Sequence, residues 1–138
     1  MKDQLEVELK NSRVEIPRVH QIIREFARRH DLSANVLNAV ELALEEHLTN
    51  IISYGFSDAA EHPIGLRLAL FDDEIRVEVE DDGRPFNPLK HPAPDTAIPL
   101  EAKPIGGLGI HLMRKMMDAL EYSRREGRNI LVMKKRFR

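Results

Sequence analysis

The sequence predicts an α+β fold in which a mainly antiparallel sheet packs against three helices as a two-layer sandwich. Five short segments alternate apolar and polar residues, which is typical of strands with one buried face. Three longer segments repeat apolar residues at the spacing of an amphipathic helix. The segments follow the order βααββαββ, which favours helices segregated to one face of the sheet.

The first half of the chain predicts a strand, two helices and a hairpin. Residues 5–9 alternate apolar and charged side chains, and residues 17–30 carry one apolar helical face. A second helix over 33–54 begins with a capping serine and is followed by a glycine. Two alternating segments over 64–71 and 74–81 are close enough to form a hairpin.

A proline-rich segment separates the hairpin from the rest of the chain. Residues 84–105 hold six of the eight prolines, and a loop of this length inside a small domain is usually functional or disordered. A third helix to about residue 120 and two strands over 121–125 and 129–137 complete the pattern. We expect a single domain over 1–138.

Composition excludes several classes of function. The net charge of −2 gives no electrostatic footprint for nucleic acid, and the absence of cysteine excludes disulfides and thiolate metal sites. No apolar run approaches the length of a membrane span, and the N-terminus lacks the apolar region of a signal peptide. We therefore expect a soluble cytoplasmic protein with no nucleic-acid or membrane partner.

A carboxylate and a carboxamide, Glu46 and Asn50, lie one turn apart on the second predicted helix. They fall at the edge of its apolar face beside two alanines, whereas Glu41 and Glu45 are predicted to point to solvent. Such a pair can hold a cation and place a proton acceptor beside it. The alternative is an ordinary solvated helix rim.

An aspartate ends the second hairpin strand on its apolar side. Asp81 shares the alternation of the three buried-type residues before it, whereas Asp82 falls on the opposite side. Because a buried carboxylate needs donors, Asp81 is a candidate acceptor for a flat ligand with an amino group, and Gly83 allows close approach. The alternative is an aspartate that only bonds the amides of its own turn.

A glycine cluster, Gly106-Gly107-Leu108-Gly109, opens the third predicted helix. Free amides and the helix dipole at such a start can bind an anion, although glycines also cap and hinge helices. The cluster lacks the residues of a P-loop or a dinucleotide-binding fingerprint. Neither a zinc site nor a hydrolase triad is indicated, since His47 and His111 stand alone on helices and no serine lies in a nucleophile elbow.

Together these three motifs resemble the N, G1 and G2 boxes of the GHKL ATPases. The boxes are carried by Glu46 and Asn50, by the segment from Asp81 to Phe86, and by the glycine cluster with Ile110. The small size and the final strands resemble the anti-sigma-factor serine-protein kinase branch. The resemblance implies a Bergerat ATP-binding fold and covers nearly the whole chain.

The resemblance also implies roles for these residues. Asn50 would coordinate Mg²⁺ bridging the nucleotide phosphates, and Glu46 would be the base that accepts the proton of a substrate serine. Asp81 would bond the adenine amino group of ATP, with Gly83 beside it. The amides of the glycine cluster would bind phosphate beneath a lid at about 84–105. Among the departures from the family pattern, Asn129 stands where many members carry threonine.

The activity implied is that of an ATP-dependent serine-protein kinase that regulates in the manner of an anti-sigma factor. Its substrate would be a small antagonist protein carrying the acceptor serine, with a sigma factor as the alternate partner and a homodimer as the assembly. Three other hypotheses stay open: a nucleotide-gated module that sequesters a regulator without catalysis, a detached histidine-kinase catalytic domain, and a structural domain with no ligand.

Overall fold

The computed structural model describes residues 1–90 and 107–137, and only the backbone of residues 107 and 108. Its elements confirm the predicted order of strands and helices. They are β1 (Asp3–Lys10), α1 (Glu15–Arg29), α2 (Ala34–Tyr54), β2 (Pro63–Leu70), β3 (Glu74–Asp81), a short 3-10 turn (Pro88–Lys90), α3 (Gly107–Met116), β4 (Ala119–Arg125) and β5 (Arg128–Arg136).

The five strands form one sheet in the order β1-β2-β3-β5-β4, and every neighbouring pair is antiparallel. The α+β class predicted from the sequence is therefore confirmed. In this register Asp81, the last residue of β3, pairs with Ile64 of β2 on one side and with Asn129 of β5 on the other. The sheet thus brings the end of β3 and the start of β5 together.

One face of the sheet carries the core, and the other carries charges. The inward residues of the central strands are almost fully buried: Leu66, Leu68, Leu70, Ile75, Val77, Val79, Leu131 and Met133. On the outer face Arg67 lies between two carboxylates, 3.0 Å from Glu6 and 3.3 Å from Glu78. Alternation along each strand produces this division, because successive side chains point to opposite faces.

Helix α2 is the centre of the helical layer. Its predicted cap is present, since the Ser33 hydroxyl accepts a hydrogen bond from the amide of Val36 at 3.3 Å. The helix contacts α1, α3, β3 and β5, so more than one of its sides is buried. None of the helices in the described ranges is both long and apolar enough to cross a membrane.

Glu41 is placed differently from the sequence prediction. It does not point to solvent but is buried under α1, where its carboxylate lies 2.8 Å from Nε of Arg24 and 3.4 Å from Nδ1 of His20. The prediction was wrong because it treated the apolar face of α2 as its only buried face. A buried carboxylate persists when it is paired in this way.

Helix α3 ends earlier than the sequence indicates, at Met116 instead of about residue 120. The amide of Asp118 already bonds the carbonyl of Lys134, and Ala119 pairs with Lys134 in the sheet. Residues 119 and 120 therefore pair with β5 as part of a strand, although their spacing also suits a helix. A lid is expected at about 84–105. Its residues from 91 onward lie outside the described residues, and so does Gly106.

Leu44 of α2 has no exposed surface. Its substitution tests whether α2 is packed in the core. We expect Leu44→Ala to lower the free energy of unfolding by about 2–5 kcal/mol, since it removes buried methyl groups and leaves a cavity. Urea unfolding followed by circular dichroism measures the change. Val14→Ala is the control, because Val14 is 77% exposed and should change stability by less than about 0.5 kcal/mol. Equal effects of the two substitutions would contradict the placement of α2.

Candidate functional site

A pocket of about 200 Å³ opens between α2 and the ends of β3 and β5. Its walls combine apolar side chains with a few polar groups, as small-molecule sites do. The residues that line it are His47, Asn50, Ile51, Tyr54, Gly55, Asp81, Arg84, Phe86 and Asn129. Two of the predicted site residues, Asn50 and Asp81, therefore meet in one pocket.

One stripe of α2 forms a wall of this pocket. His47, Asn50, Ile51 and Tyr54 are spaced at i, i+3, i+4 and i+7, which places them on one side of a helix. Of these four residues only Asn50 was predicted from the sequence as a site residue. Their spacing could have indicated that these four residues share one side of α2, but the long apolar face of α2 makes this pattern hard to distinguish.

Asp81 is only 3% exposed and lines the pocket. Its Oδ1 accepts hydrogen bonds from the amide of Gly83 at 2.9 Å and from Nδ2 of Asn129 at 3.1 Å. Burial raises the pKa of Asp81, and the hydrogen bonds from Asn129 and Gly83 oppose that increase. Within the described part of the chain Oδ2 has no donor, so it can accept one from a ligand.

Gly83 is required by a close approach of backbone. A Cβ at this position would lie 2.7 Å from the carbonyl oxygen of Gly55 and 2.9 Å from Oδ1 of Asp81. The same carbonyl accepts a hydrogen bond from the amide of Arg84 at 2.9 Å. The segment after β3 is thus held against the end of α2, where it closes one side of the pocket.

Asn129 holds the carboxylate and the following loop together. Besides bonding Asp81, its Nδ2 donates to the carbonyl of Arg84 at 2.8 Å. Its Oδ1 accepts from Nη1 of Arg124 at 2.9 Å and from the hydroxyl of Tyr122. In the sequence, Asn129 stands out only as a departure from the family pattern. The signal that could have found this role is its place opposite Asp81, which becomes visible once the register is known.

Glu46 and Gly109 meet between α2 and α3. A Cβ added at Gly109 would fall on Oε2 of Glu46 and lie 3.2 Å from its Cδ, so the carboxylate rests against the bare glycine. Burial, and then the neighbouring Glu45 carboxylate, raise the pKa of Glu46. The first and third sequence motifs are therefore in contact, and a half-buried carboxylate lies near the start of a helix.

Two buried polar atoms beside the pocket have no partner in the described residues. They are Nδ2 of Asn50 and Nδ1 of His47, and both side chains are more than nine-tenths buried. Burial alone lowers the pKa of His47 to about 4, so its imidazole is neutral at neutral pH. Unsatisfied buried polar atoms are costly, and they point to a ligand that satisfies them.

The described residues contain no group of three or more acidic or histidine side chains that could hold a metal ion. Asn50 offers a carboxamide oxygen, which is a suitable ligand for a hard cation. A magnesium ion at this place would therefore need most of its ligands from phosphate oxygens and water. Magnesium is usually bound in this way in nucleotide sites.

A match to a family model shows which family this chain belongs to. A family model described as the histidine kinase-like ATPase domain matches residues 9–135. The chain belongs to the histidine kinase-like ATPase family. A nucleotide is the ligand that this family implies. The pocket contains Oδ2 of Asp81, which has no donor among the described residues, and this acceptor suits the purine base of a nucleotide.

Named relatives of this ATPase domain are serine-protein kinases. The chain is 33% identical to the serine/threonine-protein kinase BtrW of Bordetella bronchiseptica over 113 residues, which cover 80% of this chain and 78% of that protein. It is 28% identical to the serine-protein kinase RsbW of Bacillus cereus over 112 residues, covering 78% and 69% of the two chains.

Solved structures share the fold of this ATPase domain. A structure of RsbU and RsbW domains from Mycobacterium tuberculosis matches 98% of the chain with a TM-score of 0.70 and 15% identity, and the chain spans 32% of it. A histidine kinase domain from Erythrobacter litoralis matches 88% of the chain with a TM-score of 0.55 and 20% identity, and the chain spans 59% of it. At these identities the likeness concerns the fold alone.

The close approach at Gly83 gives a test of the pocket. We expect Gly83→Ala to lower the free energy of unfolding by about 1–3 kcal/mol, because the methyl group meets a backbone oxygen that cannot move aside. Binding of a fluorescent ATP analogue should weaken in the same variant. Gly65→Ala is the matched control: it lies in β2 with its nearest neighbouring atom 3.8 Å away, and both measurements should stay close to wild type. A neutral Gly83→Ala would contradict the geometry.

Proposed function

We propose that this protein is an ATP-dependent serine-protein kinase whose substrate is a small antagonist protein carrying the acceptor serine. The observation that carries the proposal is the position of Glu46, a half-buried carboxylate against Gly109 and one turn from Asn50. A protein that only binds nucleotide has no need of a base there. The named serine-protein kinases among its relatives support the same reaction class.

The base of the nucleotide would enter the pocket between α2 and the sheet. Oδ2 of Asp81 would accept a hydrogen bond from the adenine amino group, while Asn129 and Gly83 hold Oδ1 in place. Ile51 and Phe86 supply apolar surface for the flat ring. A buried acceptor in a fixed position favours a base that presents a donor there.

The phosphates would lie at the start of α3. This helix begins at Gly107, and the free amides of its first turn, with the helix dipole, attract anions. Gly107, Leu108 and Gly109 belong to this turn, and we include Gly106 in the proposal from the sequence pattern alone. The missing side chain of Gly109 keeps the space beside Glu46 open for the reacting groups.

We propose Asn50 as the residue that holds Mg²⁺, through its carboxamide oxygen. When bound, the ion would neutralise charge on the phosphates, which is a large part of catalysis in phosphoryl transfer. Nδ2 of Asn50 has no partner in the part of the chain that the structure describes, which supports this role, because a phosphate or water oxygen near the ion would satisfy it.

Glu46 would take the proton from the serine hydroxyl as that oxygen attacks the γ-phosphorus of ATP. The bond from this phosphorus to the oxygen of the β-phosphate breaks in the same transfer, and ADP leaves. Its raised pKa makes it a stronger base than a solvent-exposed glutamate. A fixed position matters as much as basicity, and Glu46 is fixed between two packed helices.

The proposed partners follow from the family resemblance. The protein would bind its antagonist substrate in one state and a sigma factor in the other, exchanging them according to the phosphorylation of the antagonist. We also propose a homodimer as the working assembly. A nucleic-acid partner is not part of the proposal, in keeping with the net charge of −2.

Glu46→Gln tests the assignment of the base. We expect the variant to bind Mg-ATP with little change but to transfer phosphate to the antagonist about 10²–10⁴-fold more slowly, the usual range for loss of a general base. Phosphoserine formation measured by mass spectrometry gives the rate. Glu45→Gln is the control, since it makes the same chemical change at a neighbouring residue outside the Gly109 contact. It removes only the smaller of the two causes that raise the pKa of Glu46, so the transfer rate should stay close to wild type.

Retained transfer in Glu46→Gln would remove the assigned role. A wild-type protein that binds ATP and the antagonist yet forms no phosphoserine would instead support the nucleotide-gated binding module. Both measurements use the same proteins, so the two outcomes can be separated in one experiment.

Asp81→Asn tests nucleotide binding itself. The variant would direct an amide donor at the adenine amino group, and a lost hydrogen bond to a charged acceptor costs about 1.5–3 kcal/mol, or at least about tenfold in affinity. Isothermal titration with ATP measures the loss. Asp82→Asn should leave the affinity unchanged, because Asp82 is exposed and faces His62 on the other side of the strand. Unchanged affinity in Asp81→Asn would favour a structural domain with no ligand.

A further inference from the structure

We infer that His47 is a base-recognition residue: its imidazole forms a hydrogen bond with a ring nitrogen of the bound adenine, directly or through one water. The inference rests on the nucleotide binding proposed above and assigns a further residue to the same pocket. His47 is 4% exposed, lines the pocket, and keeps an unpartnered ring nitrogen, Nδ1, in the described structure.

The position of His47 on α2 indicates a contact with the adenine and not with the phosphates. Glu46 and His47 are consecutive, so their side chains leave the helix about 100° apart. Glu46 faces Gly109 at the start of α3, whereas His47 faces the pocket that contains Asp81 and Asn129. The imidazole therefore borders the pocket in which the adenine is expected, and not the start of α3.

The charge state of the imidazole agrees with this assignment. Burial holds the pKa of His47 at about 4, so the ring is neutral at neutral pH and offers a phosphate no charge. A neutral imidazole carries one N–H donor and one acceptor nitrogen. Adenine carries acceptor nitrogens around its rings, which makes it a suitable partner for the donor.

The energetic consequence is a polar atom whose hydrogen bond is completed only when the nucleotide is present. A buried polar group without a partner destabilises the free protein, and the ligand that satisfies it gains affinity. Replacing His47 by an apolar residue should therefore separate stability from binding. Affinity should fall, while the thermal midpoint of the nucleotide-free protein should stay unchanged or rise.

The test compares three substitutions by isothermal titration with ATP and by thermal unfolding without nucleotide. His47→Leu removes both ring nitrogens and should weaken ATP binding about three- to tenfold without lowering the midpoint. His47→Asn keeps a polar atom near Nδ1 and His47→Gln keeps one near Nε2, so one of the two should restore binding to within about twofold of wild type. His20→Leu is the control for ATP affinity, because His20 lies on α1 and faces Glu41 and Glu45 on another side of α2.

Deaza analogues identify the atom on the base. For one of 1-deaza-, 3-deaza- and 7-deaza-ATP, wild type should lose at least about threefold in affinity relative to ATP, while His47→Leu loses less than about twofold. Equal losses in both proteins for all three analogues would overturn the inference. Unchanged ATP binding in His47→Leu, or no restoration by either polar variant, would also overturn it.

A failure of this inference can be told apart from a failure of the proposed function. If wild type itself does not bind ATP, the proposed function fails. If wild type binds ATP with an affinity that Asp81→Asn reduces but His47→Leu does not, only the role of His47 fails.

Discussion

The buried carboxylate of Asp81 is the constraint on which the site depends. A carboxylate that is 3% exposed must be satisfied by fixed donors, and Asn129 and Gly83 supply them. Asn129 in turn bonds the carbonyl of Arg84, and the Arg84 amide bonds Gly55 at the end of α2. One buried charge thereby ties β3, β5, the following loop and α2 together, and the pocket lies between them.

Helix α2 connects the fold to the chemistry because three of its sides are occupied. Glu41 is paired under α1, Glu46 rests against α3, and His47 with Asn50 lines the pocket. A helix buried on several sides has little freedom to shift, since core packing is close to that of a crystal. The proposed base and the proposed metal ligand are therefore carried by a rigid element, as a reaction that depends on positioning requires.

Local periodicity explains which parts of this structure could be predicted from the sequence. Alternation in β3 predicted that Asp81 faces inward and Asp82 outward, and helical spacing predicted α2 with its serine cap. The role of Asn129 could not be predicted, because it depends on which residue of β5 lies opposite Asp81. The end of α3 and the burial of Glu41 also depend on neighbours distant in sequence. The polar atoms of His47 and Asn50 could be interpreted only after the structure showed that they are buried and have no partner within residues 1–90 and 107–137.

The close contacts at Gly83 and Gly109 restrict amino-acid substitution in different ways. At Gly83 the obstruction is the backbone oxygen of Gly55, which every amino acid carries, so no replacement of a neighbouring side chain can make room. At Gly109 the obstruction is the end of one side chain, Glu46. A shorter acid at position 46 would make room for a methyl group at 109, although it would withdraw the carboxylate from its present place. Position 83 is therefore fixed whatever side chains surround it, whereas position 109 can accept a larger residue once position 46 has changed.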